Sequence, residues 1–320
     1  MIRILKSKES VVLALFVLMF AIFAMESNRF ATPDNLFNIA RQYSELAVVS
    51  VGLTMIIITG GIDISVGSIV GLSSILVGVL AGQMGMNIWL ACLAGLLAGL
   101  TCGTINGLVV TRLKVQPIVA TLAMMSAARG IAFVLSEARS ISGFPDSFIA
   151  LGQIAVGPVP LSVPVALSLV VLGVVILRRT AFGRGIYAVG AKEEAARLSG
   201  VNVQWVKLFA YSFTGLLCGL GGIMMTARIA SSVPDAGSGF EFEAITAVVM
   251  GGSSLKGGEG NIVGTIIGVA VMGILRNGLN LIGVPNIWQV LFLGIMLILA
   301  VLVDNLRGML RSRSEIRASK

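Results

Sequence analysis

Histidine is absent from the 320-residue chain, which removes the commonest general base and the commonest metal ligand. Charge is scarce as well, at 12% of residues, and cysteine is limited to three. Cys92, Cys102 and Cys218 are scattered through apolar runs, so they read as core packing rather than as a disulfide framework or a metal site. No Gly-Lys dipeptide occurs, so the glycine-rich stretch 251–260 lacks the Gly-Lys-Ser/Thr ending that places a lysine on phosphates and a hydroxyl on magnesium. With no convergent acid–base or metal constellation either, the chain is not expected to be an enzyme, to hydrolyse ATP alone, or to hold a cofactor of its own.

What is present is apolar. Hydrophobic residues make up 56% of the sequence, and the mean hydropathy of +0.98 leaves too little polar surface to solvate a water-soluble globule. The expectation is an all-α, polytopic membrane protein forming a single transmembrane domain over residues 1–320. Its 39 glycines point to close helix packing or to broken helices lining a cavity. The net charge of +8 sits between and beside apolar runs rather than on one surface, so it reports membrane orientation and not a nucleic-acid partner.

Hydropathy predicts ten spans, near residues 10–26, 45–60, 63–82, 87–110, 115–136, 162–178, 205–228, 241–254, 261–282 and 286–303, with the second and eighth short. Arg3, Lys6 and Lys8 precede the first, which reads as a retained signal-anchor, since nine more spans follow and no small-residue cleavage site precedes Glu26. Ten crossings from a cytoplasmic N-terminus also put the C-terminus inside. Arg112, Lys114, Arg178, Arg179, Arg184, Lys192, Arg197, Lys207, Lys256 and the basic tail after Asp304 then fall inside as well, while Arg29, Arg41, Arg139 and Arg228 fall at the outer face. The segment 139–160, with Pro145, Pro158 and Pro160, reads as an ordered external loop.

Within the basic segment 178–207, Glu193 and Glu194 come early, Arg197 comes late and Gly200 follows, the charge order and terminal glycine of a helix of about two turns. Ala195 and Leu198 share one face, and small Ala195 and Ala196 permit close approach. Two readings are open: a docking handle for a driving protein, or an amphipathic connector lying on lipid headgroups.

Gly60-Gly61 and Gly251-Gly252 through Gly260 interrupt the apolar pattern in a similar way, as helix breaks beside a transport pathway or as tight interfacial turns. Asn106-Gly107-Leu108 and Asn277-Gly278-Leu279 hint at an internal duplication. Asp63 and Ser65 sit at the first break, as gate, structural turn or solute contact; Asn106, Gln116, Asn277 and Asn280 are available to a passing hydroxylated solute or to neighbouring helices. Arg129 and Arg276 fall inside spans, where partners such as Glu241 or Glu243 are expected.

Five stretches carry a resemblance over nearly the full length: Thr59-Gly-Gly-Ile-Asp-Ile-Ser-Val-Gly-Ser68, Val115-Gln-Pro-Ile-Val-Ala-Thr-Leu122, Gly183-Arg-Gly-Ile-Tyr-Ala-Val-Gly190, Glu194-Ala-Ala-Arg-Leu-Ser-Gly200 and Ala247-Val-Val-Met-Gly-Gly-Ser-Ser-Leu-Lys-Gly-Gly258. In order and content they resemble the ribose-type sugar permeases of bacterial ABC importers. Lys192 and Glu243 depart from the pattern, where relatives carry asparagine and a shorter acid. The resemblance implies an inner-membrane subunit paired with a second permease copy or paralogue. It also implies a cytoplasmic ATPase that uses the ATP and magnesium, and an extracytoplasmic binding protein that delivers a sugar or sugar-like molecule. Glu194 to Gly200 would be the coupling helix. The rival reading is an ion-coupled secondary transporter using Asp63, Glu241 or Glu243.

Overall fold

A computed structural model describes residues 8–157 and 159–318; Arg3, Lys6 and Pro158 lie outside it. The chain forms thirteen α-helices among the described residues: α1 (Lys8–Glu26), α2 (Pro33–Ile58), α3 (Val66–Val77), α4 (Ile88–Thr111), α5 (Pro117–Ser136), α6 (Asp146–Gln153), α7 (Ser162–Arg179), α8 (Ala181–Ala191), α9 (Glu193–Leu198), α10 (Val203–Ile229), α11 (Phe240–Met250), α12 (Ile262–Leu281) and α13 (Asn286–Ala318). A π-helical turn, Gly78–Gln83, extends α3, and a hairpin of two-residue strands, β1 (Ala155–Val156) and β2 (Val159–Pro160), sits in the loop before α7.

Seven helical segments are long and apolar enough to cross a membrane, and the apolar lengths Ser10–Glu26 and Asn286–Leu302 are shorter. Burial sorts the seven. The apolar window of α2 is 83% buried against 17% for α7 and 22% for α5, so α2 is the hub and α5 and α7 are outer staves. It packs against α7, α10, α11 and α12. Lipid tails are as apolar as leucine, so helix association relies on close packing and hydrogen bonds. Both are present. Gly99 and Gly103 of α4 face Gly215 and Gly219 of α10 with backbone touching backbone, and hydroxyl pairs join α2 to α12 (Thr54–Thr265, 2.8 Å) and α3 to α10 (Ser74–Thr226, 2.7 Å).

Two expected spans are corrected. The second is not short: α2 begins at Pro33, because Asp34, Asn38, Arg41, Gln42 and Glu45 lower the hydropathy of its first half without breaking the helix. The eighth, expected at 241–254, is no spanning helix. Eleven residues of α11 rise about 16 Å, half of a hydrocarbon core of about 30 Å. The other half is irregular backbone. After α10 ends at Ala230 in a left-handed turn (φ 57°), residues 231–239 descend the face of α3, with Ser232 against Gly78, Ala236 against Gly71 and Gly237 against Gly67. The eleven steps from Gly67 to Gly78 rise about 16 Å, and with α11 the combined length is that of one crossing.

Irregular backbone at membrane depth persists only where protein satisfies its polar groups. Here Ser232 exchanges main-chain bonds with Ile141 at 2.8 and 2.9 Å. Its hydroxyl donates to the Ser74 carbonyl at 2.6 Å, and Arg129 of α5 donates through Nη1 to the carbonyls of Ala236 (2.9 Å) and Pro234 (3.3 Å). A Cβ at Gly67 or Gly71 would overlap the carbonyl oxygens of Gly237 or Ala236. Gly67→Leu is therefore expected to expel the segment and destabilise the protein by about 3 kcal/mol or more. Gly294→Ala, on a face with nothing within 4 Å, is expected to stay within about 0.5 kcal/mol of the parent. Thermal melting in detergent compares the two.

Candidate functional site

At the end of the bundle that carries α9, a short exposed helix is joined to a glycine junction. α9 is an exposed six-residue helix with Glu193 and Glu194 in its first turn and Arg197 in its last. Glu194 pairs with Arg197 at 2.6 Å on the same helix, and Glu193 pairs with Lys207 of α10 at 2.5 Å. The helix stops in a glycine cap: Gly200, at φ 85°, donates to the Arg197 carbonyl and Val201 to that of Ala196. Ala196 is buried against α8 and α10, which turns Ala195 and Leu198 outward; Leu198 is 80% exposed.

α8 connects α9 to the interior. Thr180 starts it by accepting from the Gly183 amide at 3.0 Å. At its other end Gly190 lies so close to the Ile58 carbonyl and the Gly258 amide that any side chain there would overlap both. Gly258 in turn donates to the Ile58 carbonyl at 2.8 Å, and Gly257 lies against Gly60. The two glycine breaks that the sequence marks separately, at 60–61 and 251–260, thus meet each other, and α8 meets both. Tyr187 of α8 adds a bond to the Gly260 carbonyl at 2.8 Å. Burial raises its phenol above the ordinary range and keeps it a neutral donor.

Beside this junction Asp63 accepts from the Ser65 amide (2.8 Å) and hydroxyl (2.6 Å), a turn that starts α3. Asn106 of α4 donates to the same hydroxyl at 2.9 Å. All three side chains are buried, so Asp63, Ser65 and Asn106 form a closed network that fastens the break to α4. Gln116 stands exposed just before α5, apart from that network.

Asn277 and Asn280 lie at the far end, where α2, α10, α11 and α12 enclose a polar cavity of about 480 Å³ with Gln42, Glu45, Arg228, Glu243 and Arg276 in its walls. Its charges are matched: Arg228 holds Glu45 with two bonds, at 2.7 and 3.0 Å, and Arg276 holds Glu243. Asn277 exchanges amide bonds with Asn35, and Asn280 accepts from Gln289. Arg276 thus finds one of its expected partners, whereas Arg129 takes main-chain carbonyls. Sequence reasoning missed Gly190, Glu45 and Arg228 as members of these sites. Gly190 closes one of the quoted motifs, and Glu45 stood out only as an acid leading into an apolar run.

A membrane bundle with a half-length helix, a polar cavity at one end and a short exposed helix packed through α8 on its helix breaks at the other fits a transport permease. The chain belongs to the family described as branched-chain amino acid transport system / permease component, which matches residues 35–301. It is 42% identical to the ribose import permease protein RbsC of Escherichia coli (strain K12) over 305 residues, covering 93% of this chain and 94% of that one. It is 42% identical to the ribose import permease protein RbsC of Bacillus subtilis (strain 168), covering 91% of each chain. Identity to the fructose import permease protein FrcC of Rhizobium meliloti is 36%, over 92% of this chain and 83% of that one. No solved structure matches the chain.

Gly190→Val is expected to wedge the junction apart, lowering both uptake and melting temperature more than Tyr187→Phe, which loses one hydrogen bond worth about 1 kcal/mol. Paired melting and transport assays rank the two.

Proposed function

We propose that this chain is the membrane permease subunit of an ATP-binding-cassette importer that moves a monosaccharide or sugar-like solute of the ribose type into the bacterial cytoplasm. It resides in the inner membrane as a multi-pass protein. The ten crossings are the seven long apolar segments, the apolar lengths of α1 and α13, and the broken crossing ending in α11; both termini are cytoplasmic. The chain pairs with a second copy or a paralogue. An ATPase subunit supplies ATP and magnesium chemistry, and an extracytoplasmic binding protein supplies the solute.

The observation that carries this reading is the exposed α9, with Leu198 turned out beside the Glu194–Arg197 pair and its base fixed through Gly190 to both helix breaks. A helix too short to be stable alone is held rigid by a cap and an ion pair, which suits a contact that transmits force. Nucleotide-driven closure of the ATPase would displace α9, and α8 would pass the displacement to the ends of α2 and α11. A secondary transporter driven by an ion gradient has no use for such a lever. With affinity residing in the binding protein, the permease needs only weak, replaceable polar contacts along its conduit.

Glu194→Arg and Gly200→Val are expected to leave the protein in the membrane while lowering ATP-driven uptake by about tenfold or more, a loss of about 1.4 kcal/mol of coupling. Reconstituted transport with and without the ATPase, under a collapsed ion gradient, is the test. Concentrative uptake without the ATPase, or unchanged uptake by both variants, would contradict the assignment.

A further inference from the structure

Two polar cavities flank the start of α11. In the one toward α12 each charge already has its opposite and the amides are engaged with one another. The other, about 400 Å³, lies between α3, α5 and the irregular segment, and Ser68, Ser126, Arg129, Ser238 and Glu241 line it. Its groups are less committed. Both recorded bonds of Arg129 leave from Nη1, so the rest of the guanidinium edge remains available. Glu241 is only 6% exposed, and its Oε2 has no hydrogen-bond partner. No ion pair joins the two among the described residues.

That oxygen is sealed against Gly67 of α3, so the cavity offers a ligand the rest of the Glu241 carboxylate. A carboxylate accepts from adjacent hydroxyls, a guanidinium edge donates, and a serine hydroxyl does either. One cation and one anion leave the wall without net charge, which favours a neutral polar solute over an ion. Met125 and Phe133 add an apolar patch for the carbon face of a ring, and the volume falls in the range of small-molecule sites. Arg129 also supports the segment, and Glu241 packs Oε2 on Gly67 where Gly237 lies, so both side chains serve the segment as well as the cavity wall.

We propose that this second cavity is a recognition site for a neutral polyhydroxylated solute, in which Glu241 accepts from neighbouring hydroxyls while Arg129, Ser126 and Ser238 complete the shell. The proposal rests on the transport function proposed above and adds where and by what groups the permease itself reads the solute.

The test uses the full importer in proteoliposomes with labelled ribose and 2-deoxyribose as probes. Glu241→Gln is expected to lower ribose uptake by about tenfold and to narrow the preference for ribose over its deoxy analogue, with the binding protein's affinity unchanged. Ser126 is exposed, so Ser126→Ala leaves packing intact; it is expected to narrow the same preference by about threefold whatever becomes of the Glu241 variant. Wild-type rates and preference in both variants would overturn this site while leaving the transport function standing. A parent importer that moves neither sugar would overturn both.

Discussion

Main-chain polar groups have no water to bond inside a bilayer, and this requirement shapes the chain more than any side chain does. Most of the bundle meets it with helices. Residues 231–239 do not, and the structure supplies partners from three directions: Ile141 from the loop between α5 and α6, Ser74 from α3 and Arg129 from α5. Gly67 and Gly71 matter because they let α3 come close enough for that to happen. An arginine inside a span is costly unless it has such employment; Arg129 pairs its charge with carbonyl dipoles and thereby fixes a segment that no regular hydrogen-bond ladder holds.

The same economy of backbone contact governs the opposite end. Gly190, Gly257 and Gly258 bring three chain segments together without side chains between them, so the ends of α2 and α8 and the loop after α11 share one junction. Packed interfaces of this kind do not deform smoothly; they pass a displacement on or repack. In the proposed importer that is the useful property. α2 and α11 run between this junction and the polar cavities: Gln42 and Glu45 of α2 and Glu243 of α11 line one, and Glu241 of α11 lines the other.

Much of this was legible in the sequence. Apolar runs of membrane length gave the long helices, since length and composition alone decide those. The acids, arginine and glycine of the 193–200 stretch gave α9 and its cap, because capping chemistry is local. The broken crossing was not legible, although Pro234, Gly237 and Gly239 are strong breakers; hydropathy does not report that a groove on α3 would bury them. The polar half of α2 escaped for the related reason that its Gln42 and Glu45 line a cavity rather than meet lipid. Asp63, Ser65 and Asn106 were singled out individually, but their closure into one network depends on α3 and α4 meeting.

The two cavities differ in a way that bears on how solute would travel. Matched ion pairs such as Arg228–Glu45 gain little by exchanging one partner for a neutral hydroxyl, since breaking a buried pair leaves a charge uncompensated. The Glu241 carboxylate, which has no ion pair among the described residues, has no such partner to lose. The first kind of wall holds helices in register while remaining wet; the second offers transient contacts. α11 separates them, presenting Glu243 to one side and Glu241 to the other from a single turn. A half-length helix anchored at a movable junction is therefore suited to change both walls at once, which a full-length helix clamped at both membrane faces would resist.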